Sequence, residues 1–153
     1  MGGGLGLHGH GFRERQVRGP LGPDDSPGWV VIACRRYACT ACDAILTVVP
    51  RGVAPRRHYG HAAIAMAFAL WAIAGEPIAE VRRRVCAWRV SDETRWATLA
   101  RWARSARDAV GDAGMTLVAA AARAAQIAIG RAPPHLRHGS RWAQAFAGGN
   151  AMP

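Results

Sequence analysis

The spacing of hydrophobic residues changes once along this chain, near residue 60. Before that point, short runs rich in β-branched and aromatic residues are separated by clusters of turn-forming residues, a pattern typical of short strands. Beyond it, hydrophobic positions recur about every 3.6 residues, which predicts helices. We therefore expect an α+β chain that is mostly α, with a small N-terminal β unit followed by a helical bundle.

Three strands are predicted in the first part of the chain. They cover residues 12–18, 29–37 and 45–49. The segment 19–28 is crowded with proline and glycine and should be a loop. Residues 1–11 are rich in glycine and are expected to be disordered. The strands then form one β unit at 12–50, and the segment 51–60 that follows it is a basic linker.

The helical part begins with a run at 61–74 that is hydrophobic on almost every side, which predicts a central helix ended by Gly75. Ser91 is a suitable N-cap for a later helix, because Asp92 and Glu93 fall in its first turn, where the helix dipole favours acids. Further helices are predicted at 78–87, from that N-cap to about residue 110, at 115–129 and at 141–146. The units expected are a three-helix unit at 61–110, Ala-rich C-terminal helices at 111–147 and a loose tail at 148–153.

The charge of the chain indicates a polyanionic partner. Its 20 basic residues are all arginine and outnumber its 10 acidic residues, which gives a formal net charge of +10. A GC-rich genome explains the use of arginine alone but not the excess of basic over acidic residues. Nucleic acid is the commonest partner of such a chain, and an anionic membrane surface is the weaker alternative.

Neither a signal peptide nor a membrane span is predicted. The first residues lack a basic segment and a long apolar core. The longest apolar run, at 62–74, is shorter than the roughly 20 residues that a span needs. We therefore expect a cytoplasmic protein in a reducing compartment, with no membrane partner and no small-molecule substrate.

One motif has the spacing of a metal site. Cys39 and Cys42 are separated by two residues, so a tight turn can present both thiolates to one zinc ion. A structural zinc site needs four ligands, and no second pair of this kind follows. The candidates for the remaining positions are Cys34, His8, His10 and His58. The zinc site is expected to be incomplete, and two ordinary cysteines in a tight turn are the alternative.

The three predicted helices at 61–110 fit a helix-turn-helix unit, whose third helix lies in the major groove of duplex DNA. The candidate DNA-binding side chains on the third helix are Arg95, Thr98 and Arg101. Those on the preceding helix and in the linker are Arg82, Arg83, Arg84, Arg51, Arg56 and Arg57. The alternative is an Ala-rich bundle with a solvated basic face and a flexible tether.

No set of residues indicates catalysis. The acidic residues are scattered, and no glycine-rich loop leads from a strand into a helix. His135 and His138 lie near prolines and have no evident nucleophile as a partner. We therefore do not expect an enzyme.

The β unit and the segment after it resemble the N-terminal zinc-ribbon and helix-turn-helix region of transposase-like proteins encoded in bacterial mobile elements. The residues that carry the resemblance are 7–13, 30–32, 35–42, 46–50, 56–59 and 62–71. The resemblance implies that Cys39 and Cys42 are zinc ligands and that the chain binds DNA in the bacterial nucleoid.

Two parts of the family's pattern are missing from this chain. The family's first Cys pair has no counterpart before residue 7, as in a truncated or mis-started reading frame, and the nuclease domain is absent. The resemblance therefore implies DNA binding without strand transfer by this chain. Two other hypotheses stay open: an Ala-rich helical interaction module, and a decayed mobile-element fragment that does not bind DNA.

Overall fold

A three-stranded antiparallel sheet followed by five α-helices makes up the computed structural model, which describes residues 6–54, 57–88 and 96–152. The predicted α+β class is confirmed. The strands are β1 (Leu7–Gly19), β2 (Gly28–Cys39) and β3 (Ile45–Thr47), in the spatial order β1-β2-β3. Each of them overlaps one predicted strand, because β-branched and aromatic residues favour the extended, half-buried backbone.

β1 starts earlier than the sequence suggested. It begins at Leu7, which is in register with Cys39, so residues 7–11 belong to the sheet and the disorder expected for them is not found. The register shifts between Gly9 and Phe12, which marks a β-bulge. Hydrogen bonding to a distant strand orders this segment, and its glycine-rich composition does not reveal that pairing. Residues 1–5 lie outside the described part of the chain.

The helices follow the predicted order with shifted ends. They are α1 (His61–Phe68), α2 (Ile78–Val85), α3 (Ala97–Val110), α4 (Leu117–Gly130) and α5 (Arg141–Asn150). α1 continues as a π-helical segment, Ala69–Ile73, and Gly75, at a φ of +74°, follows the end of this helix as predicted. The predicted N-cap Ser91, with Asp92 and Glu93, lies outside the described residues.

The helices share one hydrophobic core. Its buried side chains run from Tyr59 before α1 to Phe146 in α5, and α1 packs against both α4 and α5. The proposed boundary between 61–110 and 111–147 is therefore not a boundary in the packing. Many of the contacts are made by alanines that are fully buried, which lets the helix axes come close together.

The C-terminal residues are part of that core, contrary to the expected loose tail. α5 extends to Asn150, and Gly148 and Gly149 are buried within it. A Cβ on Gly149 would lie 2.6 Å from the Cα of Ala62 on α1. Because glycine has no Cβ, α5 can approach its neighbouring helices this closely at these two positions.

The segment 51–60 joins the sheet to the bundle at several points. The backbone N–H of Arg18 in β1 donates to the carbonyl of His58 at 2.6 Å, and Arg15 donates to the carbonyls of Ala54 and Arg57. Gly52 N–H donates to the carbonyl of Met152. In its described residues, this basic linker is therefore fixed by hydrogen bonds to both units.

The two faces of the sheet differ in their surroundings. We call the side that carries Val17, Val30 and Cys34 the inner face, since a cavity of ≈ 160 Å³ separates part of it from Ala63 on α1. We call the opposite side the outer face; it carries the exposed side chains of Phe12 and Trp29, among others. No helix in the described residues is long and apolar enough to cross a bilayer.

Candidate nucleic-acid interface

The turn between β2 and β3 holds the predicted cysteine pair. The backbone N–H of Cys39 donates to the carbonyl of Ala44 at 2.9 Å, and the N–H of Asp43 donates to the carbonyl of Cys39 at 3.0 Å. Asp43 has a φ of 56°, the left-handed conformation that an Asp tolerates better than most residues. These bonds close a tight loop that contains Cys42, so the loop expected from the spacing is formed.

The loop favours the thiolate form of Cys39. Hydrogen bonds from the backbone N–H groups of Ala41 and Cys42, and from the Cys42 thiol, lower the pKa of the Cys39 thiol. A thiolate is the form that binds a metal ion or attacks an electrophile. Cys39 is buried and Cys42 is exposed, so solvent reaches the pair from the side of Cys42.

The other candidate ligands do not complete this site. Cys34 is buried five residues away on β2, which is about 16 Å at 3.3 Å per residue, too far to share an ion with Cys39. His8 is in register with Ala38 and so lies on the other face of the sheet from Cys39. His10 falls in the bulge, and His58 lines a cavity on the inner face. In the described residues, no group of three or more potential ligands could hold a metal ion.

More residues separate α2 from α3 than a standard helix-turn-helix turn contains. α2 ends at Val85 and α3 begins at Ala97, whereas a helix-turn-helix turn has about 3–4 residues. Cys86 leaves the helix in an extended conformation and its thiol accepts a hydrogen bond from the hydroxyl of Tyr59 at 3.2 Å. Residues 89–95, including the candidate Arg95, lie outside the described part.

α3 is anchored by aromatic side chains on its inner side. Tyr59, Trp96 and Trp102 form an edge-to-face cluster with ring centroids 4.9 to 6.3 Å apart. Each of these side chains is buried, and burial raises the pKa of Tyr59. Trp96 and Trp102 are thus core residues, and they fix the position of α3.

The opposite side of α3 is polar and exposed. Arg101 is exposed, and its guanidinium donates to the hydroxyl of Thr98 at 3.1 Å, so two predicted residues lie side by side. Arg104 is also exposed, one turn further along. Arg104 is not among the residues predicted from the sequence, although its spacing of three residues from Arg101 places both on the same side of a helix.

The three arginines of α2 have different surroundings. Arg82 is only 7% exposed, so it cannot reach a phosphate without repacking, contrary to its expected role. Arg83 is exposed but forms an ion pair with Glu80 on the same helix. The guanidinium of Arg84 lies over the ring of Trp142, 5.0 Å from its centroid. Val81 and Val85 lie one turn apart on the buried side of α2, and Arg82 is buried beside Val81.

One linker arginine, Arg57, lines a basic cavity on the inner face. Arg51 is exposed, Arg57 is half-buried, and Arg56 lies outside the described residues. The cavity has a volume of ≈ 710 Å³ and Arg57 contributes to its wall. Its other polar lining includes Arg13, Glu14, Arg15, Gln16 and His58. Arg13 and Arg15 were not selected from the sequence, because their alternation was interpreted only as a strand pattern.

Comparison of the chain with family models, with curated proteins and with solved structures gives no match.

Proposed function

We propose that the chain binds duplex DNA without catalysis, through the basic outer side of α3. The observation that carries this proposal is the pair of exposed guanidinium groups of Arg101 and Arg104, one turn apart, opposite the buried side of the same helix. Arginine side chains at this spacing can contact successive phosphates or one base edge and one phosphate.

The packing of α3 supports this role. Trp102 and Leu99 hold the helix against the core, so the arginines project from a helix whose position is fixed. A rigid helix loses little conformational entropy on binding, which raises affinity. The proposal requires only that α3 enters the groove, and it does not depend on a standard helix-turn-helix turn before α3.

The overall charge supports the same partner. A formal net charge of +10 attracts a polyanion over long distances, and most of the binding free energy is then expected from Arg–phosphate contacts. Exposed Arg51 and Arg83 add positive charge beyond α3. Binding should therefore weaken steeply as salt concentration rises.

Fluorescence anisotropy with a random-sequence duplex, at salt concentrations from about 50 to 200 mM, tests the proposal. The variant R101A/R104A should bind more weakly and reduce the slope of log K against log salt by about 1.8, the value for two phosphate contacts. The variant R123A/R131A is the matched control, since it removes two exposed arginines at α4. Equal slopes for the two variants, or no binding by the wild type, would contradict the proposal.

The cysteine loop supports a narrower proposal about zinc. Cys39 and Cys42 supply two ligands, and the described residues supply no third, so a bound ion needs donors from outside them. Titration with Co²⁺ should give a thiolate charge-transfer band that C39S/C42S abolishes and C34S retains. A band that survives in C39S/C42S would exclude this loop as the site.

The hypothesis of a helical interaction module receives less support. α4 exposes Val118 and Ile127, but they are nine positions apart, about 2.5 turns, so they lie on opposite sides of the helix. A docking helix needs its apolar residues along one side. α4 therefore lacks the stripe that such a partner would bind.

A further inference from the structure

The outer face of the sheet carries large apolar side chains in contact with solvent. Phe12 of β1 is 62% exposed and Trp29 of β2 is 53% exposed. Cross-strand partners share a face, and the pairs Phe12–Arg35 and Trp29–Arg18 place these two rings on the same side. The remaining outer-face residues with exposed apolar surface include Val31, Ala33 and Leu46. The inner face is bonded to the linker through Arg15, whereas the outer face presents these rings to solvent.

Two of the three aromatic rings on this face, those of Phe12 and Tyr37, lie close to an arginine. The guanidinium carbon of Arg35 lies 5.1 Å from the centroid of Phe12 and 5.8 Å from that of Tyr37. At the other end of the sheet, the guanidinium carbon of Arg18 lies 5.5 Å from the centroid of Trp88. An arginine held over a ring keeps N–H groups that can bond a phosphate.

Arg35 with its two rings and Arg18 with Trp88 form two groups of side chains at opposite ends of the sheet. The distance between these two groups is long enough for a polymeric ligand to contact both. Arg18 is six positions after Phe12 on β1, which is about 20 Å at 3.3 Å per residue. Among the described strand positions of this face, Glu14 is the one acidic residue, against the two arginines Arg18 and Arg35. A ligand that spans both groups must offer planar rings for the aromatic residues and negative charge for the arginines.

We propose that the outer face binds a single strand of nucleic acid. Unpaired bases stack on Phe12, Tyr37 and Trp29, and the phosphates between them bond to Arg35 and Arg18. Stacking between neighbouring base pairs hides the flat surfaces of bases in a duplex, so this face selects unpaired strands. The proposal does not depend on duplex binding by α3, because it uses other residues.

The test is the affinity for an oligo(dT) strand of about 15 nucleotides, long enough to span the face. The variant F12A/W29A should lose at least about 10-fold in affinity for oligo(dT). Each of the two rings that it removes is expected to stack on a base, and base stacking is a strong contribution to the binding of single strands. The control is L21A/L136A, which removes two exposed leucines outside the sheet. Both variants change exposed side chains, and circular dichroism checks that they fold.

Additional measurements distinguish this proposal from binding at α3 and from contact with a second copy of the chain. R101A/R104A should leave oligo(dT) binding within about 3-fold of wild type, since it acts on α3. Oligo(U) of equal length distinguishes DNA from RNA, and binding of either strand with the F12A/W29A loss supports the inference. Unchanged affinity of F12A/W29A for both oligo(dT) and oligo(U) overturns it. A change in oligomeric state in that variant, with affinity for both strands unchanged, assigns the face to a second copy of the chain and also overturns it.

Discussion

At the scale of single residues, two consecutive glycines set the approach of α5 to its neighbours. A Cβ on Gly148 would overlap the carbonyl of Ala128 in α4, and a Cβ on Gly149 would lie 2.8 Å from the backbone N of Ala62 in α1. These neighbours are backbone atoms, which cannot move aside as the end of a flexible side chain can. Even a single methyl group therefore has no room at either position.

We expect G148A and G149A each to lower the free energy of unfolding by about 3 kcal/mol, the upper part of the range for overpacking. The matched control is G130A at the end of α4, where nothing lies within 4 Å of the added Cβ. It should change stability by less than about 1 kcal/mol, in the stabilising direction. Urea unfolding of the three variants measures the difference, and equal losses would contradict the close packing.

A second residue-scale feature is His61 at the start of α1. Its Nδ1 is buried with no hydrogen-bond partner in the described residues. Burial, with a smaller contribution from the nearby charge of Arg57, lowers the pKa of His61 below its ordinary 6.5. The folded protein therefore takes up this proton at lower pH than the unfolded chain does.

Because the unfolded chain binds this proton first, the contribution of His61 to stability is present above pH 6.5 and is lost as the pH falls towards the folded-state pKa. The variant H61Q cannot take up the proton. The wild type should therefore lose stability relative to H61Q as the pH falls below 6.5, measured by thermal unfolding at a series of pH values. Parallel curves for the two proteins would contradict the lowered pKa.

At the scale of elements, α4 shows how an Ala-rich helix works in a core. Ala121, Ala125 and Ala128 are fully buried, and the helix packs against α1, α3 and α5. Its N-terminus is capped by Thr116, whose hydroxyl accepts from the N–H of Ala119 at 3.2 Å. Alanine thus serves both helix propensity and close packing between the helices.

The variant A125L should destabilise the protein by about 1–3 kcal/mol, because the larger side chain has no space in the core. A119L is the matched control: the same substitution on the same helix at an exposed position. It should change stability by no more than about 0.5 kcal/mol. Thermal unfolding compares the two, and a tolerated A125L would show that the helices can separate without cost.

At the scale of the whole molecule, Arg15 connects the sheet to the segment before α1. Its guanidinium donates to the carbonyls of Ala54 and Arg57, and both acceptors belong to the linker. Hydrogen bonds to a charged donor stabilise more than neutral ones do. The sheet and bundle should therefore unfold together, since this contact and the Arg18–His58 bond cross between them.

R15M keeps most of the side-chain length but removes the donors. We expect it to lower the free energy of unfolding by about 1.5–3 kcal/mol and to speed hydrogen exchange in β1 and β2 relative to α1. R13M, on the same face of the same strand, is the control and should cost less than about 0.5 kcal/mol. If hydrogen exchange in R15M is no faster in β1 and β2 than in α1, the result would contradict a role for Arg15 in coupling the sheet to the bundle.

The elements of this protein follow from its sequence because their causes are local. Alternation and turn residues predict the strands, helical spacing predicts α1 to α5, and the Cys-x-x-Cys spacing predicts the loop at Cys39. Within the candidate site, helical spacing selected Thr98 and Arg101, which lie exposed or half-exposed on α3.

Tertiary structure decides the properties that depend on residues far apart in the chain. Pairing with β2 orders residues 7–11, packing against α1 and α4 buries Gly148 and Gly149, and the bundle buries Arg82. The sequence by itself determines which residues of a strand share a face, but not which face the helices cover. That choice leaves the outer face open, because burial is set by the neighbours an element packs against and not by its own pattern.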